Sequence, residues 1–201
     1  MSRKRLDQEL VRQGLVENRS HAQEMIKAGR VTVDGAPADK ASRMVAPSQS
    51  LQVAGDPPRY VSRGGLKLES ALEHFNLDIQ GLKVVDVGSS TGGFTDCLLQ
   101  HGASSVVALD VGRGQLHHRL LTDERVNVHE RTNIRHVDPT EIGAPFDLLV
   151  ADLSFISLTL ILINLLDLVN DGSSLLLLVK PQFEAGKHQV NEGKGVIKEP
   201  K

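Results

Sequence analysis

The sequence predicts a parallel α/β sheet preceded by a small α+β module, and three observations predict it. Short apolar runs alternate with helical patterns through the rear of the chain, one of those runs empties into a glycine-rich segment, and residues 1–60 differ from the rest in charge and pattern. At 201 residues there is room for one large or two small domains. Hydrophobic residues make up 40% and charged residues 24%, which places the chain among globular proteins and excludes disordered and fibrous classes.

In the front module, Leu6, Leu10, Val11, Leu15 and Val16 recur at helical spacing, Gly14 and Asn18 punctuate, and a second periodic stretch runs from Ser20 through Ala22, Met25 and Ile26. Two short helices with a tight link follow from this. Gly29 is a natural stop for the second, and Val31–Val33 reads as a strand entering a hairpin at Asp34-Gly35, a pair that readily takes the positive φ such turns need. Leu51–Val53 supplies a later strand. Residues 1–60 carry ten Lys or Arg against seven Asp or Glu, a balance of +3, whereas residues 61–201 carry thirteen against eighteen, a balance of −5. A basic bias on a small module suits a polyanion-binding face, and an ordinary solvated surface would carry the same charge.

Gly55-Asp-Pro-Pro58 is short, rigid and polar, the composition expected where one packed unit ends, so the boundary falls at about residues 55 to 62. The domains read as 1–58 and 64–201, with a linker at 59–63. Behind it, Leu66–Phe75 is amphipathic. Strands are expected at Lys83–Val87, Ser105–Asp110, Val126–Glu130, Phe146–Ala151 and Ser174–Val179, and helices at Thr95–His101, Gln115–Leu121 and within Leu158–Val169. Alternation of this kind implies a parallel sheet with helices on both faces.

Several classes of chemistry are set aside. The only cysteine, Cys97, cannot pair within the chain and fits a reducing cytosol. Eight histidines are scattered, and the adjacent pair His117 and His118 lacks the i, i+4 spacing of a helical zinc site, so no metal is expected. Residues 1–15 are charged and lack an apolar signal region, which points to a cytoplasmic protein. The apolar run Leu153–Val169 approaches membrane-span length, but Ser154, Ser157, Thr159, Asn164 and Asp167 interrupt it, and a buried helix is expected instead of a membrane contact.

The most informative segment is Val84 to Thr95, a hydrophobic strand opening through glycines into a helix. Ligands of open parallel sheets bind at the carboxyl ends of strands, and the missing β-carbons of Gly88, Gly92 and Gly93 would let a ligand approach the backbone, unless they serve only a tight turn. The segment lacks the Gly-Lys-Ser/Thr of a phosphate-cradling loop and does not match Gly-x-Gly-x-x-Gly, which weakens nucleoside triphosphate and dinucleotide readings. Asp110, ending the second strand, could accept hydrogen bonds from two vicinal ribose hydroxyls, as in an adenosine. Asn133, after the third strand, could approach the base through its amide, although Asn also occupies turns for its own reasons.

Two further strand ends carry Asp152 and Lys180. Lys180 closes the apolar run Leu175–Val179, where desolvation can make a lysine a proton acceptor. Lys67, following Arg63-Gly-Gly-Leu, puts a cation at the start of a helix, a poor position for structure alone. Ion pairing and snorkelling are the plain alternatives for all three.

These blocks together resemble the TlyA, or hemolysin A, family of ribosomal RNA 2′-O-methyltransferases, whose catalytic part resembles FtsJ-type enzymes. The front resembles the alpha-L RNA-binding motif in Arg5-Leu-Asp7, Gly14-Leu15, Asn18-Arg-Ser20, Ala22 and Gly29 to Gly35. The rear resembles the family in Val61 to Leu68, Asp86-Val-Gly-Ser-Ser-Thr-Gly-Gly-Phe94, Asp152 to Ile156 and Lys180-Pro-Gln-Phe-Glu184. The resemblance spans essentially the whole chain. It implies a Rossmann-like sheet dependent on S-adenosylmethionine, held by Asp86, Gly88, Ser89, Ser90, Thr91, Gly92, Gly93, Phe94, Asp110, Asn133 and Asp152. It implies Lys67, Asp152 and Lys180 as catalytic residues, and ribosomal RNA held through Arg5, Arg19, Lys27 and Arg30 by a monomer. The fourth catalytic residue of the family, a glutamate on a later strand, has no counterpart before Lys201. A complete fold of this kind should continue for roughly 60 more residues, so the sheet is expected to be incomplete at the C-terminus. The linker Pro58-Arg-Tyr-Val61 departs from relatives that carry tryptophan there. The rival readings are a non-catalytic RNA-binding or ribosome-assembly factor that keeps the fold and the cofactor but not the reaction, and a membrane-active hemolysin.

Overall fold

A computed structural model describes residues 3–16, 18–55 and 58–185. The closing stretch from Gly193 to Lys201, on which the expectation of an incomplete sheet rests, lies outside the described residues, as do Asp56 and Pro57 of the proline-rich boundary. The chain divides into two compact units, Met1–Arg59 and Tyr60–Lys201.

The first unit runs β1 (Lys4–Arg5), α1 (Leu6–Arg12), α2 (Arg19–Lys27), β2 (Val31–Val33), β3 (Ala36–Pro37), β4 (Met44–Val45) and β5 (Leu51–Val53). α1 stops where Gly14 takes φ +69°, and the Leu15 amide then bonds back to the Leu10 carbonyl at 3.0 Å. Asn18 caps α2 by accepting from the His21 amide at 2.9 Å. Asp34 and Gly35, both at positive φ, turn β2 into β3, and β5 pairs with the other edge of β2. Leu6, Leu10, Val16, Ala22, Ile26, Val31, Val33 and Leu51 close the core between helices and sheet. The pair β1 and β4 was not expected, because two-residue strands show no periodicity.

The second unit runs α3 (Gly64–His74), β6 (Lys83–Val87), α4 (Gly93–Gln100), β7 (Ser105–Leu109), α5 (His118–Leu121), β8 (Val126–His129), β9 (Phe146–Ala151), a 3-10 turn (Leu158–Leu160), α6 (Leu162–Leu166), β10 (Val169–Leu177) and α7 (Pro181–Glu184). Its five strands are all parallel in the order β10-β9-β6-β7-β8. Because side chains alternate along a strand, Val84, Val106, Leu148 and Val150 pack on one face with Leu68, Leu98 and Leu120, while Val85, Val107, Leu149 and Ala151 pack on the other with Ile134, Ile161 and Leu165. Burial on both faces is why these strands read as continuous apolar runs.

Three expectations are corrected. The helix expected from Gln115 begins only at His118, since the Gln115 carbonyl side-chain oxygen accepts a hydrogen bond from Ser90 at 3.3 Å and His117 caps the shorter helix. The apolar run Leu153–Val169 is not one buried helix. It breaks into a 3-10 turn and the five-residue α6, which bury Ile161, Leu165 and Leu168 and leave Leu160 66% and Ile163 69% exposed. A helix this short buries one stripe, and nothing among the described residues covers the opposite one. β10 starts five residues early, with a register shift between Val169 and Ser174 that accommodates Gly172 at φ +85°, and ends at Leu177, so Lys180 stands beyond the strand as the residue preceding α7.

Candidate active site

Five parallel strands deliver their carboxyl ends to one edge, and the loops after β6, β7, β9 and β10 meet there. Gly88, at φ +86°, lets the chain leave β6 sharply; a β-carbon on it would lie 2.9 Å from Leu153. Gly92, at φ +92°, has a different job. A β-carbon there would collide with Leu120 at 2.2 Å, and one on Gly93 with Ser62 at 2.3 Å. These two glycines therefore seat the turn against its neighbours, and Gly93 also lines the cleft.

Asp86 lies wholly buried beneath the turn. Its Oδ2 accepts from the Thr95 amide at 3.0 Å and the Thr95 hydroxyl at 2.6 Å, while Oδ1 has no hydrogen-bond partner. Burial pushes this carboxyl up to about 7; the Thr95 hydrogen bonds oppose the rise and the charges of Asp110 and Asp152 add to it. Asp110, at the end of β7, accepts from the Ser90 amide at 2.8 Å and from the Gly112 amide at 2.7 Å. Those bonds orient both its oxygens and leave each a further lone pair.

Asp152, after β9, sits between two lysines. Its Oδ2 is 2.8 Å from Lys67 Nζ, carried by α3, and its Oδ1 is 2.6 Å from Lys180 Nζ. Lys180 also donates to the Ser154 hydroxyl at 2.8 Å. Burial alone would raise the Asp152 carboxyl, but Lys180 and Lys67 outweigh it and hold the group below its ordinary value. Two cations on one carboxylate leave a local excess of positive charge that favours an electron-rich or anionic substrate.

The trio forms part of the wall of a cleft of about 610 Å³ lined also by Arg63, Ser62 and the turn residues Gly88, Ser89, Ser90, Thr91, Gly93 and Phe94. A second hollow of about 300 Å³ adjoins it, lined by Asp110, Gln115, Thr132, Ile134, Leu153 and Phe155 among others. Gly88, Ser90, Asp152 and Ser154 line both. The structure thus brings Lys67, Asp152, Lys180, Asp110 and most of the turn together. It does not bring in Asn133, which is exposed and whose side chain accepts from the Arg135 amide at 3.1 Å in a local turn; its neighbours Thr132 and Ile134 line the hollow instead. Ser154, Arg63 and Gln115 were missed, although the first two lie inside blocks already singled out.

In the first unit, Arg5 and Arg19 both grip the buried Asp7, at 2.9 and 3.0 Å, with side chains 39% and 54% exposed. The hydrogen bond from Arg5 leads in holding the Asp7 carboxyl far below its usual range, with Arg19 and Gln23 adding to it against burial. Lys27 and Arg30 are exposed at the end of α2 and just beyond it, and the Arg30 guanidinium lies against Gly55. Among the described residues no group of His, Cys, Asp and Glu could hold a metal, and no helix is long and apolar enough to cross a membrane.

Comparison with known proteins agrees with this division. The family described as FtsJ-like methyltransferase matches residues 60–199, and the S4 domain family matches residues 4–51. The chain is 50% identical over 199 residues to a 16S/23S rRNA (cytidine-2′-O)-methyltransferase TlyA of Mycobacterium tuberculosis, covering 98% of this chain and 74% of that one. It is 38% identical to Hemolysin A of Brachyspira hyodysenteriae, covering 97% and 81%. A solved structure of a hemolysin from Streptococcus thermophilus, 42% identical, superimposes with a TM-score of 0.73 over 99% of this chain and 73% of that one. With an S4 domain in front and an FtsJ-like methyltransferase domain behind, this chain belongs to the TlyA and hemolysin A family.

Proposed function

We propose that the chain transfers a methyl group from S-adenosylmethionine to ribose 2′-hydroxyls of ribosomal RNA, acting as a monomer in the cytoplasm. The observation that carries this reading is the Lys67–Asp152–Lys180 cluster lining the larger cleft, whose wall at Asp152 is shared with the adjoining hollow. The residues fit the methyl donor. It is a cationic nucleoside, and the edge of the sheet offers it two acidic side chains, Asp86 with its unpartnered Oδ1 and Asp110 with oriented oxygens. We assign its nucleoside to the hollow bearing Asp110, Thr132 and Ile134, and its amino-acid portion to the cleft bearing the Gly88–Phe94 turn.

Bound there, S-adenosylmethionine supplies a methyl group on a positively charged sulfur, already electrophilic enough that the protein contributes chiefly position. Lys180, ion-paired with Asp152 and donating one N–H to Ser154, has a donor left for the ribose hydroxyl. Lys67, fixed by the other oxygen of Asp152, holds the second side of the cleft and favours the phosphate backbone of the substrate. Asp152 would take the hydroxyl proton as the methyl passes from sulfur to oxygen and a neutral thioether departs, a stage at which that proton is acidic enough for a weak acceptor.

Residues 1–58 supply the RNA grip, 59–63 the linker and 64–201 the methyltransferase. Lys27 and Arg30 meet phosphates directly; Arg5 and Arg19 do so with the N–H groups that Asp7 leaves unused. The test is radiolabelled methyl transfer to separated ribosomal subunits, with mapping of the modified nucleotide. Lys180→Ala is expected to lower kcat by roughly 10²–10³-fold. If calorimetry shows cofactor and RNA binding while no methyl is transferred by the wild-type chain, the protein is an RNA-binding assembly factor instead.

A further inference from the structure

Lys180 and Asp152 come from loops leaving neighbouring parallel strands, and neither loop is held by sheet pairing where the chemistry is proposed. The last regular tie is the Leu178 amide on the Ala151 carbonyl at 2.9 Å, and both chains then run free of the ladder. What aligns them must therefore lie further out. Beyond Asp152 the chain passes through Phe155, an exposed residue that holds φ +67°, and reaches the 3-10 turn at Leu158. A phenylalanine in the left-handed region is strained, so something fixes the ends of this loop.

The fixing group is Glu184. One oxygen of its carboxylate accepts the Leu158 amide at 2.9 Å and the other accepts the Ser157 hydroxyl at 2.5 Å. It stands one helical turn after Lys180, on α7, whose Phe183 amide bonds to the Lys180 carbonyl at 2.8 Å. Phe183 in turn meets the Phe155 ring at a centroid distance of 5.4 Å. The two loops are thus stitched at the inner end by Lys180 to Asp152 and Ser154, in the middle by the ring pair, and at the outer end by Glu184.

We propose that Glu184 is a positioning residue for methyl transfer: by clamping Ser157 and Leu158 to the turn that follows Lys180, it sets the loop bearing Asp152 and Ser154 at the distance where Lys180 is held between them. The proposal rests on the methyl-transfer reading. Glu184 lines neither the cleft nor the adjoining hollow; it acts through the loop.

Glu184→Ala and Glu184→Gln separate a positioning role from a merely structural one. The carboxamide of Gln can still accept the Leu158 amide and can donate to the Ser157 oxygen, so Glu184→Gln is expected to keep kcat within about twofold of wild type. Glu184→Ala is expected to lower kcat by about 10- to 100-fold, the scale of a misplaced catalytic group, while the KM for S-adenosylmethionine stays within about twofold. Wild-type kcat in Glu184→Ala would overturn the proposal, and so would a parallel loss of kcat, cofactor KM and melting temperature. Acetylation of Lys180 by acetic anhydride, followed by mass spectrometry, reads the clamp without any turnover. Faster modification of Lys180 in Glu184→Ala, reversed in Glu184→Gln, supports it, and equal rates in all three chains sink it. Absence of transfer by wild type would count against the functional reading alone, with the acetylation rates still deciding on Glu184.

Discussion

Asp86 shows what a single side chain contributes to both stability and binding. Its carboxyl is pushed up to about 7, chiefly by burial, so in the folded chain it keeps its proton between the ordinary carboxyl range near 4 and about 7, where the unfolded chain has given that proton up. The folded state then binds more protons, and stability falls as pH rises through that window, by no more than about 1.4 kcal/mol per pH unit for one proton. Asp86→Asn mimics the protonated acid and keeps an acceptor for Thr95. Thermal melts of the ligand-free chain should therefore show a decline between pH 4 and 7 that flattens in Asp86→Asn, and an unchanged slope would mean that the buried carboxyl is not its source. The place of Asp86 on the strand ahead of the glycine turn was legible in sequence, although only the family resemblance marked it as a cofactor ligand. The dual use of the neighbouring glycines was not, because what Gly92 and Gly93 exclude is a clash with Leu116, Leu120 and Ser62, residues that no local pattern connects to them.

Among the elements, those that bury two faces or cap themselves locally could be read in advance, and those shaped by tertiary contacts could not. β6, β7, β8 and β9 stand within a residue of their apolar runs, and α2 starts where Asn18 caps it. By contrast, α5 lost its first turn to the Gln115–Ser90 contact, and β10 began early because Val169 pairs with Phe146 before Gly172 interrupts the register. Asn133 follows the turn reading that its sequence left open, its side-chain oxygen accepting from the Arg135 amide. α6 makes the contrast measurable. Leu165 is wholly buried against β9 and its neighbours, whereas Ile163 on the same helix is 69% exposed. Leu165→Ala should cost about 2–5 kcal/mol in denaturant unfolding and Ile163→Ala less than about 0.5 kcal/mol. Equal costs would mean that the exposed stripe is covered in solution.

At the scale of the whole chain, a basic unit precedes an acidic one, +3 against −5, so RNA affinity should reside in the first and fall as salt rises. Binding measured across a salt series should give a linear log–log plot that loses about one contact, a slope change of roughly 0.7 to 0.9, in Lys27→Glu. A similar loss in Arg19→Gln would be smaller, because Asp7 already occupies part of that guanidinium. An identical slope in Lys27→Glu would move the RNA grip off α2. The order of the sheet has one more consequence. Lys180 hangs from β10, one of the two strands that among the described residues have a partner on a single side, while the turn at Gly88 hangs from β6 in the middle. Warming should loosen the outermost ribbon first, so catalysis would fade while most of the protein still stands, and the chain would behave as an RNA-gripping body that heat has silenced before it unfolds.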